Sequence, residues 1–255
     1  MKIVVLAGGI STERAVSLVT GTGVCRALRK NGHRAILVDL FLGLEDVPED
    51  LETLFDAPDG LCPDAKIEVE APDLEAVKRS RRDQGPSHIG PHVLDICQRA
   101  DLVFLGLHGM DGEDGRIQAA LDLLGVPYTG SGCLASAIAM DKDLTKRLVA
   151  GQVTTPAWRS VTVTEENLEE LARQTRLPVV VKPVDSGSSI GVFIARDGQE
   201  LRRALEESRK LGGRTVLEEY IQGREIQVAV LEDRALPSIE IIPKEGFYDY
   251  ENKYQ

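Results

Sequence analysis

The stretch PVVVKPVDSGSSIGV, residues 178–192, decides the fold that we expect for the second half of this chain. Its apolar residues 179–181 are typical of a short buried strand, which ends at Lys182. A turn of small residues follows: Ser186, Gly187, Ser188, Ser189 and, after Ile190, Gly191. We expect Lys182 to leave the sheet as a fixed cation beside the N–H groups and hydroxyls of this turn, an arrangement that can hold phosphate oxygens. Because the chain lacks the Walker spacing G-x-x-x-x-G-K-[ST], we predict a different kind of site for a nucleoside triphosphate.

The residues around this stretch predict an α+β unit. We expect strands at residues 159–163, 179–182, 191–195, 214–221, 225–231 and 236–242, and helices at residues 165–174 and 200–211. Thr155 and Pro156 precede the first of these strands and indicate a hinge into the unit.

The first half of the chain predicts a parallel β/α domain. Two strand-like runs, residues 3–6 and 35–40, flank a helical pattern at residues 13–30, and such a crossover joins parallel strands. We expect further strands at residues 67–69, 101–107 and 126–129, and helices at 74–82, 117–124 and 134–140. The acidic residues 43–90 are interpreted as an elaboration of this domain. The predicted fold class is therefore α/β, with a parallel β/α domain followed by an α+β unit.

The composition argues against several classes of partner. Asp and Glu outnumber Lys and Arg by 41 to 30, and the resulting charge of −11 repels nucleic acid and anionic membranes. No apolar run approaches the roughly 18 residues that would cross a bilayer. The four cysteines lack CxxC spacing, as is typical of reduced thiols in the cytosol. We therefore expect a cytoplasmic protein that binds neither nucleic acid nor membranes.

Two segments of the first half place polar side chains where strands end. Residues 8–13, GGISTE, lie at a strand-to-helix junction whose free N–H groups favour an anion, although a capped tight turn explains them equally. Glu13 fits either a ligand contact or the helix dipole. Residues 107–115, LHGMDGEDG, place His108 at the carboxyl end of a strand, where ligands of open α/β sheets bind. An acidic surface turn is the alternative for that segment.

Three features of the second half also have two interpretations. Lys142, taken alone, is interpreted as a surface lysine. The run Glu218, Glu219, Tyr220 and Ile221, followed by Glu225, offers a strand edge and a carboxylate that suit an adenine and a ribose. A solvated acidic edge strand explains the run as well. Residues 247–254 contain three of the five tyrosines, which indicates either a loop that closes over a site or a packed tail.

Taken together, these motifs resemble the D-alanine–D-alanine ligase family of the ATP-grasp superfamily. The matching segments follow the family's order across nearly the whole chain. They are GGISTER (8–14), LHGMDGEDGRIQ (107–118), YTGSG (128–132), AMDK (139–142), VVKPVDSGSSIGV (180–192), EEYIQGRE (218–225) and YDYENKY (248–254). The resemblance implies an N-terminal substrate-binding domain at residues 1–136, a central ATP-grasp subdomain at 137–221, and the start of a truncated C-terminal subdomain at 222–255.

On the nucleotide side, the resemblance implies that Lys142 and Lys182 hold the phosphates of ATP. The loop of residues 186–191 would fold over those phosphates. Residues 218–221 would seat the adenine, and Glu225 would bind the ribose.

On the substrate side, the resemblance implies that Glu13 orients the ammonium group of a first D-alanine and that His108 lies beside a substrate carboxylate. Ser188 and Tyr254 would join Glu13 in a hydrogen-bonded latch for the closing loop. Lys253 would contact the transferred phosphate. Tyr254 also favours D-alanine over D-lactate as the second substrate.

The implied activity joins two D-alanine molecules through an acyl phosphate, with ATP and Mg²⁺, for peptidoglycan precursor synthesis; a homodimer is a family expectation. The spacing of His88 and His92 would suit a metal pair, but the neighbouring Pro and Gly residues disfavour a helix there. The family's magnesium ligands are expected beyond Gln255, so we expect this chain alone to be inactive. Two alternatives stay open. Another ATP-grasp carboxylate–amine ligase or carboxylase would share residues 178–225, and a non-catalytic binding remnant would follow if the chain truly ends at Gln255.

Overall fold

The chain divides into two units, Met1–Ala139 and Met140–Gln255, each with its own sheet and core. The structure is a computed structural model that describes residues 1–67, 72–187 and 189–243. Among the described residues, no helix is both long enough and apolar enough to cross a membrane.

Helices and strands are interspersed in both units, and the strands of residues 214–241 follow one another without a helix between them. The strands are β1 (Lys2–Ala7), β2 (Arg34–Asp39), β3 (Leu102–Leu105), β4 (Trp158–Thr162), β5 (Val179–Pro183), β6 (Phe193–Ala195), β7 (Arg214–Glu219), β8 (Glu225–Gln227), β9 (Val230–Leu231), β10 (Arg234–Ala235) and β11 (Ile239–Ile241). The α-helices are α1 (Arg14–Lys30), α2 (Leu74–Ser80), α3 (Val93–Cys97), α4 (Arg116–Leu124), α5 (Cys133–Met140), α6 (Lys142–Val149), α7 (Leu168–Gln174) and α8 (Gly198–Lys210). A short 3-10 helix spans Leu51–Asp56.

The first unit contains a parallel sheet in the order β2-β1-β3. Both faces of β1 are covered, because Val4 and Leu6 belong to one core cluster while Ile3 and Val5 belong to another. A strand that is buried on both faces is apolar at every position, which explains the continuous run IVVLA. Helix α1 lies close to this sheet at Gly21, where an added Cβ would come within 2.6 Å of the Ala7 Cβ.

The second unit contains an antiparallel sheet in the order β4-β7-β5-β6. Alternate residues of β5, Val179 and Val181, pack in the core with Leu201 and Leu205 of α8. Helix α8 begins after Asp197, whose carboxylate accepts hydrogen bonds from the N–H groups of residues 199 and 200 at 2.9 and 2.8 Å. Because side chains alternate along a strand, Lys182 lies on the face opposite this core.

Several predicted elements differ from the structure. The prediction that Lys182 leaves the sheet is wrong, since β5 continues to Pro183 and Lys182 pairs with Val216 of β7. The predicted strand at 126–129 is reduced to a single parallel bridge between Val103 and Tyr128. The predicted strand at 225–231 is interrupted after Gln227. Residues 68 and 69 of the predicted strand 67–69 lie outside the described residues.

Helices α3 and α6 were not predicted. Helix α6 begins after Asp141, whose carboxylate accepts a hydrogen bond from the N–H of Leu144 at 2.9 Å. The same carboxylate forms an ion pair with Arg214 at 2.7 Å. An aspartate before a helix is a recognisable start signal, but the eight residues of α6 are too few for a clear apolar period. Helix α6 carries two lysines of the candidate site, Lys142 and Lys146.

A buried ion pair organises the turn that follows β1. The guanidinium of Arg14 donates to a carboxylate oxygen of Asp39 and to the carbonyl of Gly9. The other oxygen of Asp39 accepts from the N–H groups of Phe41 and Leu42 at 2.9 and 3.0 Å. Both side chains are about nine-tenths buried, with 9% of Arg14 and 12% of Asp39 exposed. The turn therefore depends on two charges that have little access to water as an alternative partner.

We expect Asp39→Ala to lower the free energy of unfolding of the first unit by about 3–5 kcal/mol, because it leaves the Arg14 guanidinium buried and unpaired. The measurement is hydrogen exchange of the β1 amides, since the single tryptophan, Trp158, reports on the second unit. The matched control is Asp56→Ala, which removes the exposed pair with Arg34 and should change little. Equal effects of the two substitutions would contradict this account.

Candidate functional site

A cavity of about 880 Å³ lies in the second unit, against the sheet face opposite the α8 core. Among its lining residues are most of those singled out from the sequence for a nucleotide. They are Lys142, Lys182, Ser186, Gly187, Ser189, Glu218, Glu219, Tyr220, Ile221 and Glu225. The antiparallel register brings these segments together, because β5 pairs with β7 and β8 pairs with β11.

Lys182 projects into this cavity as a paired cation. Its Nζ lies 2.7 Å from Oε2 of Glu218, and the other carboxylate oxygen of Glu218 lies 3.4 Å from Nζ of Lys146. Lys182 keeps 26% of its side chain exposed, whereas only 11% of the Glu218 side chain is exposed. One carboxylate thus contacts two ammonium groups, and the three side chains together carry a surplus positive charge.

Lys142 contributes a second cation to the same cavity. It is the first residue of α6, and its Nζ donates to the carbonyl groups of Val184, at 3.4 Å, and of Ser186. Burial lowers the pKa of Lys142, and the neighbouring Lys182 ammonium lowers it further. Nearby carboxylates raise this pKa, and Asp185 has the largest effect among them. An anion bound near both ammonium groups would relieve this repulsion and stabilise the charged form of Lys142.

The loop after β5 is a tight turn held by its own backbone. The N–H of Ile190 donates to the Gly187 carbonyl at 3.0 Å, and the N–H of Val192 donates to the Ser189 carbonyl at 3.2 Å. Ser189 has a positive φ of 60°, and Gly191 has a φ of 72°. Such turns expose N–H groups on one side, as an anion site requires.

Gly191 does not line the cavity, in contrast to its predicted neighbours. An added Cβ there would lie 2.6 Å from Cδ1 of Leu211 and 2.8 Å from Cγ of Pro183. Packing and backbone conformation therefore require glycine at this position. Ser188, by contrast, lies outside the described residues.

The cavity also has an apolar wall beside the segment 218–225. The sheet face contributes Val180 and Ile194, and residues 241 and 242 contribute two isoleucines. Backbone N–H and C=O groups at a strand end, combined with apolar side chains, suit a flat heterocycle such as a purine. The geometry favours this interpretation over the solvated edge strand that the composition also allowed.

Sequence reasoning missed three charged residues at this site: Lys146, Arg224 and Glu240. Arg224 and Glu240 both line the cavity and form a two-point ion pair at 2.7 and 2.6 Å. Nothing local in the sequence marks this pair, since its members are separated by sixteen residues. Lys146 follows Lys142 by one helical turn, but this spacing does not indicate its contact with Glu218, which is 72 positions away.

In the first unit, Glu13 and His108 lie on adjacent loops at the carboxyl ends of β1 and β3. Ser11 connects them: its hydroxyl donates to the His108 carbonyl at 2.7 Å and accepts from the N–H of Glu13 at 3.2 Å. A Cβ on Gly109, next to His108, would lie 3.1 Å from Oε2 of Glu13. The sheet therefore brings together the two residues predicted to contact one substrate.

His108 carries a polar atom without a partner. Its Nε2 is buried and has no hydrogen-bond partner among the described residues. Buried polar atoms in native proteins are nearly always paired, so this nitrogen, on a loop that approaches the buried side chain of Glu13 at Gly109, points to a ligand.

Two other expectations can be placed only in part. Lys253 and Tyr254 lie outside the described residues, so the predicted latch is not described. The two histidines that the sequence analysis discounted as a metal pair have different partners. His88 pairs with Asp111 at 2.7 Å, whereas His92 lies 3.6 Å from Asp95. Within residues 1–67, 72–187 and 189–243, no group of three or more His, Cys, Asp or Glu side chains could hold a metal ion.

Comparison with protein families gives two matches along the chain. A family model described as D-ala D-ala ligase N-terminus matches residues 2–131. A second one, D-ala D-ala ligase C-terminus, matches residues 152–255. The two matches divide the chain in the same order as its two units.

Individual relatives agree with these matches. The D-alanine–D-alanine ligase of Pediococcus pentosaceus is 42% identical over 257 residues, covering 100% of this chain and 72% of the relative. A crystal structure of the Bacillus anthracis ligase has a TM-score of 0.66 at 30% identity and covers 100% of this chain and 69% of that one. The same enzyme complexed with ATP has a TM-score of 0.64 at 29% identity, over 97% of this chain and 68% of that one. The chain thus spans about seven-tenths of the length of these relatives.

We expect Lys182→Met to raise the pKa of Lys142 toward its ordinary value. The substitution removes the ammonium that lowers this pKa and leaves the Glu218 carboxylate, which raises it. The measurement is NMR titration of isotopically methylated lysines, with Lys142→Arg used to assign the signal. Arg147→Met, on the solvent side of the same helix, is the control and should leave the titration unchanged. A pKa of Lys142 that stays the same or falls in Lys182→Met would contradict the coupling.

Proposed function

Because the chain belongs to the D-alanine–D-alanine ligase family, we propose that it binds ATP and two D-alanine molecules and joins the amino acids as D-alanyl-D-alanine, a peptidoglycan precursor. The observation that carries the proposal is the cavity of the second unit, in which Lys142 and Lys182 lie beside an apolar wall. The ATP complex of the Bacillus anthracis ligase supports the identity of the nucleotide.

The proposed position of ATP follows the chemistry of the cavity. Its phosphates lie between Lys142, Lys182 and the N–H groups of the loop 186–191, because these groups supply the positive charge and the donors that phosphate needs. The adenine lies along residues 218–221, where backbone groups and the apolar wall are adjacent, and the ribose hydroxyls reach Glu225. The −11 charge of the whole chain makes such local attraction necessary.

The proposed position of the first D-alanine is the pair of loops in the first unit. The Glu13 carboxylate attracts the ammonium group of the amino acid, and Nε2 of His108 binds its carboxylate. This assignment gives the buried nitrogen of His108 a partner that the described residues do not provide.

The proposed reaction has two steps. A carboxylate oxygen of the first D-alanine attacks the γ-phosphorus of ATP, which forms an acyl phosphate and releases ADP. The amine of the second D-alanine, after loss of a proton, attacks the acyl carbon and displaces phosphate. Phosphoryl transfer depends mainly on positioning and on neutralising charge, to which the lysines and backbone donors contribute, and the enzyme needs no nucleophile of its own.

Several expectations remain predictions. They include the latch of Ser188 and Tyr254 with Glu13, the contact of Lys253 with the transferred phosphate, the preference for D-alanine over D-lactate, the subdomain boundaries at residues 137 and 222, the cytoplasmic location and a homodimer. The described residues do not provide a Mg²⁺ site, so no step above is assigned to the ion.

The proposed activity predicts that the full-length protein releases phosphate from ATP, in the presence of Mg²⁺, only when D-alanine is added. The physical reason is that the acyl phosphate cannot form without the D-alanine carboxylate. The measurement is a coupled phosphate assay, and L-alanine is the matched control. Phosphate release at the same rate with L-alanine, or with no amino acid, would refute the assignment.

The proposed position of the phosphates predicts that Lys182→Ala abolishes measurable ATP binding in equilibrium titrations. The substitution removes one of the cations that line the cavity, and it also removes the closer partner of Glu218, whose carboxylate then repels phosphate more strongly. Lys210→Ala is the control, since Lys210 forms an exposed pair with Glu207 on α8 and should not affect affinity. Unchanged ATP affinity in Lys182→Ala would show that the phosphates lie elsewhere.

A further inference from the structure

Lys146 is a buried lysine that the proposed chemistry does not use. It lies on α6, and only 8% of its surface is exposed. Its Nζ contacts three groups: Oε1 of Glu218 at 3.4 Å, the hydroxyl of Thr155, and the ring of Trp158, whose centroid lies 4.9 Å away. Burying an ammonium is costly unless it is paired, and the carboxylate of Glu218 is the negative charge that offsets this cost for Lys146.

The sheet register explains why these groups meet. Trp158 of β4 lies directly opposite Glu218 of β7, which in turn lies opposite Val180 of β5. Residues directly opposite in antiparallel strands share a face, so the row faces the cavity side of the sheet, and Lys182 follows Val180 on that face. The indole N–H of Trp158 donates to Asp143 of α6 at 2.9 Å, which orients the ring beneath Lys146.

Lys146 itself does not line the cavity, whereas Glu218 and Lys182 do. Lys146 therefore influences a ligand without contacting it, through its charge and through its contact with Glu218. Without Lys146, Glu218 and Lys182 would form a neutral pair, and the carboxylate would be free to turn toward the cavity. With Lys146 in place, one carboxylate oxygen is occupied and the group of three side chains carries a net charge of +1.

We propose that Lys146 is a positioning residue of the nucleotide site: it holds one oxygen of Glu218, so that Lys182, Glu218 and Lys146 together present a net positive charge to the phosphates. The inference rests on the proposed function, because it assumes that phosphates occupy the cavity. It assigns to Lys146 an electrostatic role that depends on the charge of the ligand. A purely structural lysine would affect every ligand of the cavity alike.

The test compares ATP with adenosine, which lacks phosphates. We expect Lys146→Met to weaken ATP binding roughly tenfold, about the value of one charge-assisted contact, and to change adenosine binding by less than about twofold. Lys146→Arg keeps the charge and should restore most of the ATP affinity. Lys210→Met is the control, since Lys210 lies on α8 and forms an exposed pair with Glu207 at 2.8 Å.

Each outcome decides the matter. Equal weakening of ATP and adenosine, or no weakening of either, would overturn the role of Lys146 while leaving the proposed function intact. Failure of the unsubstituted protein to bind ATP would overturn both. Circular dichroism checks the fold of each variant. If Lys146→Met does not fold, Lys146→Gln serves instead, because glutamine keeps a donor to Glu218 without the charge and should also lose ATP affinity selectively.

Discussion

The two-residue period of β5 connects the packing of the second unit to its chemistry. Val179 and Val181 pack against α8, and this burial determines which way the intervening side chains face. Lys182 consequently lies on the cavity side, opposite Val216 and close to Glu218. A shift of one residue in the register would place the lysine in the apolar core, so the same contacts that stabilise the sheet also hold the cation at the site.

A comparable constraint operates in the first unit. The parallel strands β1 and β3 end at the same edge of the sheet, and each is followed by a glycine-containing loop. The ion pair between Arg14 and Asp39 holds the first loop and leaves Glu13 at the start of α1. The rigid strands thus position Glu13 and His108 on adjacent loops, although the two residues are separated by nearly a hundred positions in the chain.

Contiguous motifs of the sequence predicted both the family and the fold. The family resemblance is confirmed, and the parallel β/α domain followed by an α+β unit is confirmed as well. Residues of the loop after β5 and of the segment 218–225 line one cavity, because β5 and β7 are neighbours in the sheet. Strand ends were less accurate, because Lys182 is polar and yet remains hydrogen-bonded within β5.

Lys146 shows why the remainder could not be predicted. Its partner Glu218 is 72 positions away, and the contact exists only because α6 lies over the cross-strand row of β4 and β7. A lysine in a short amphipathic helix has the sequence pattern of a surface residue. Burial and pairing of this kind are properties of the assembled sheet, and no local pattern of residues records them.

Gly191 has a consequence for how such chains are compared across evolution. It belongs to a motif associated with nucleotides, but its surroundings are Leu211 and Pro183, and its backbone has a left-handed conformation. A descendant that had lost all affinity for nucleotides would still need glycine here in order to fold. Retention of this glycine in a distant homologue therefore indicates that the fold is retained. Retention of the lysines is the better indicator that catalysis is retained.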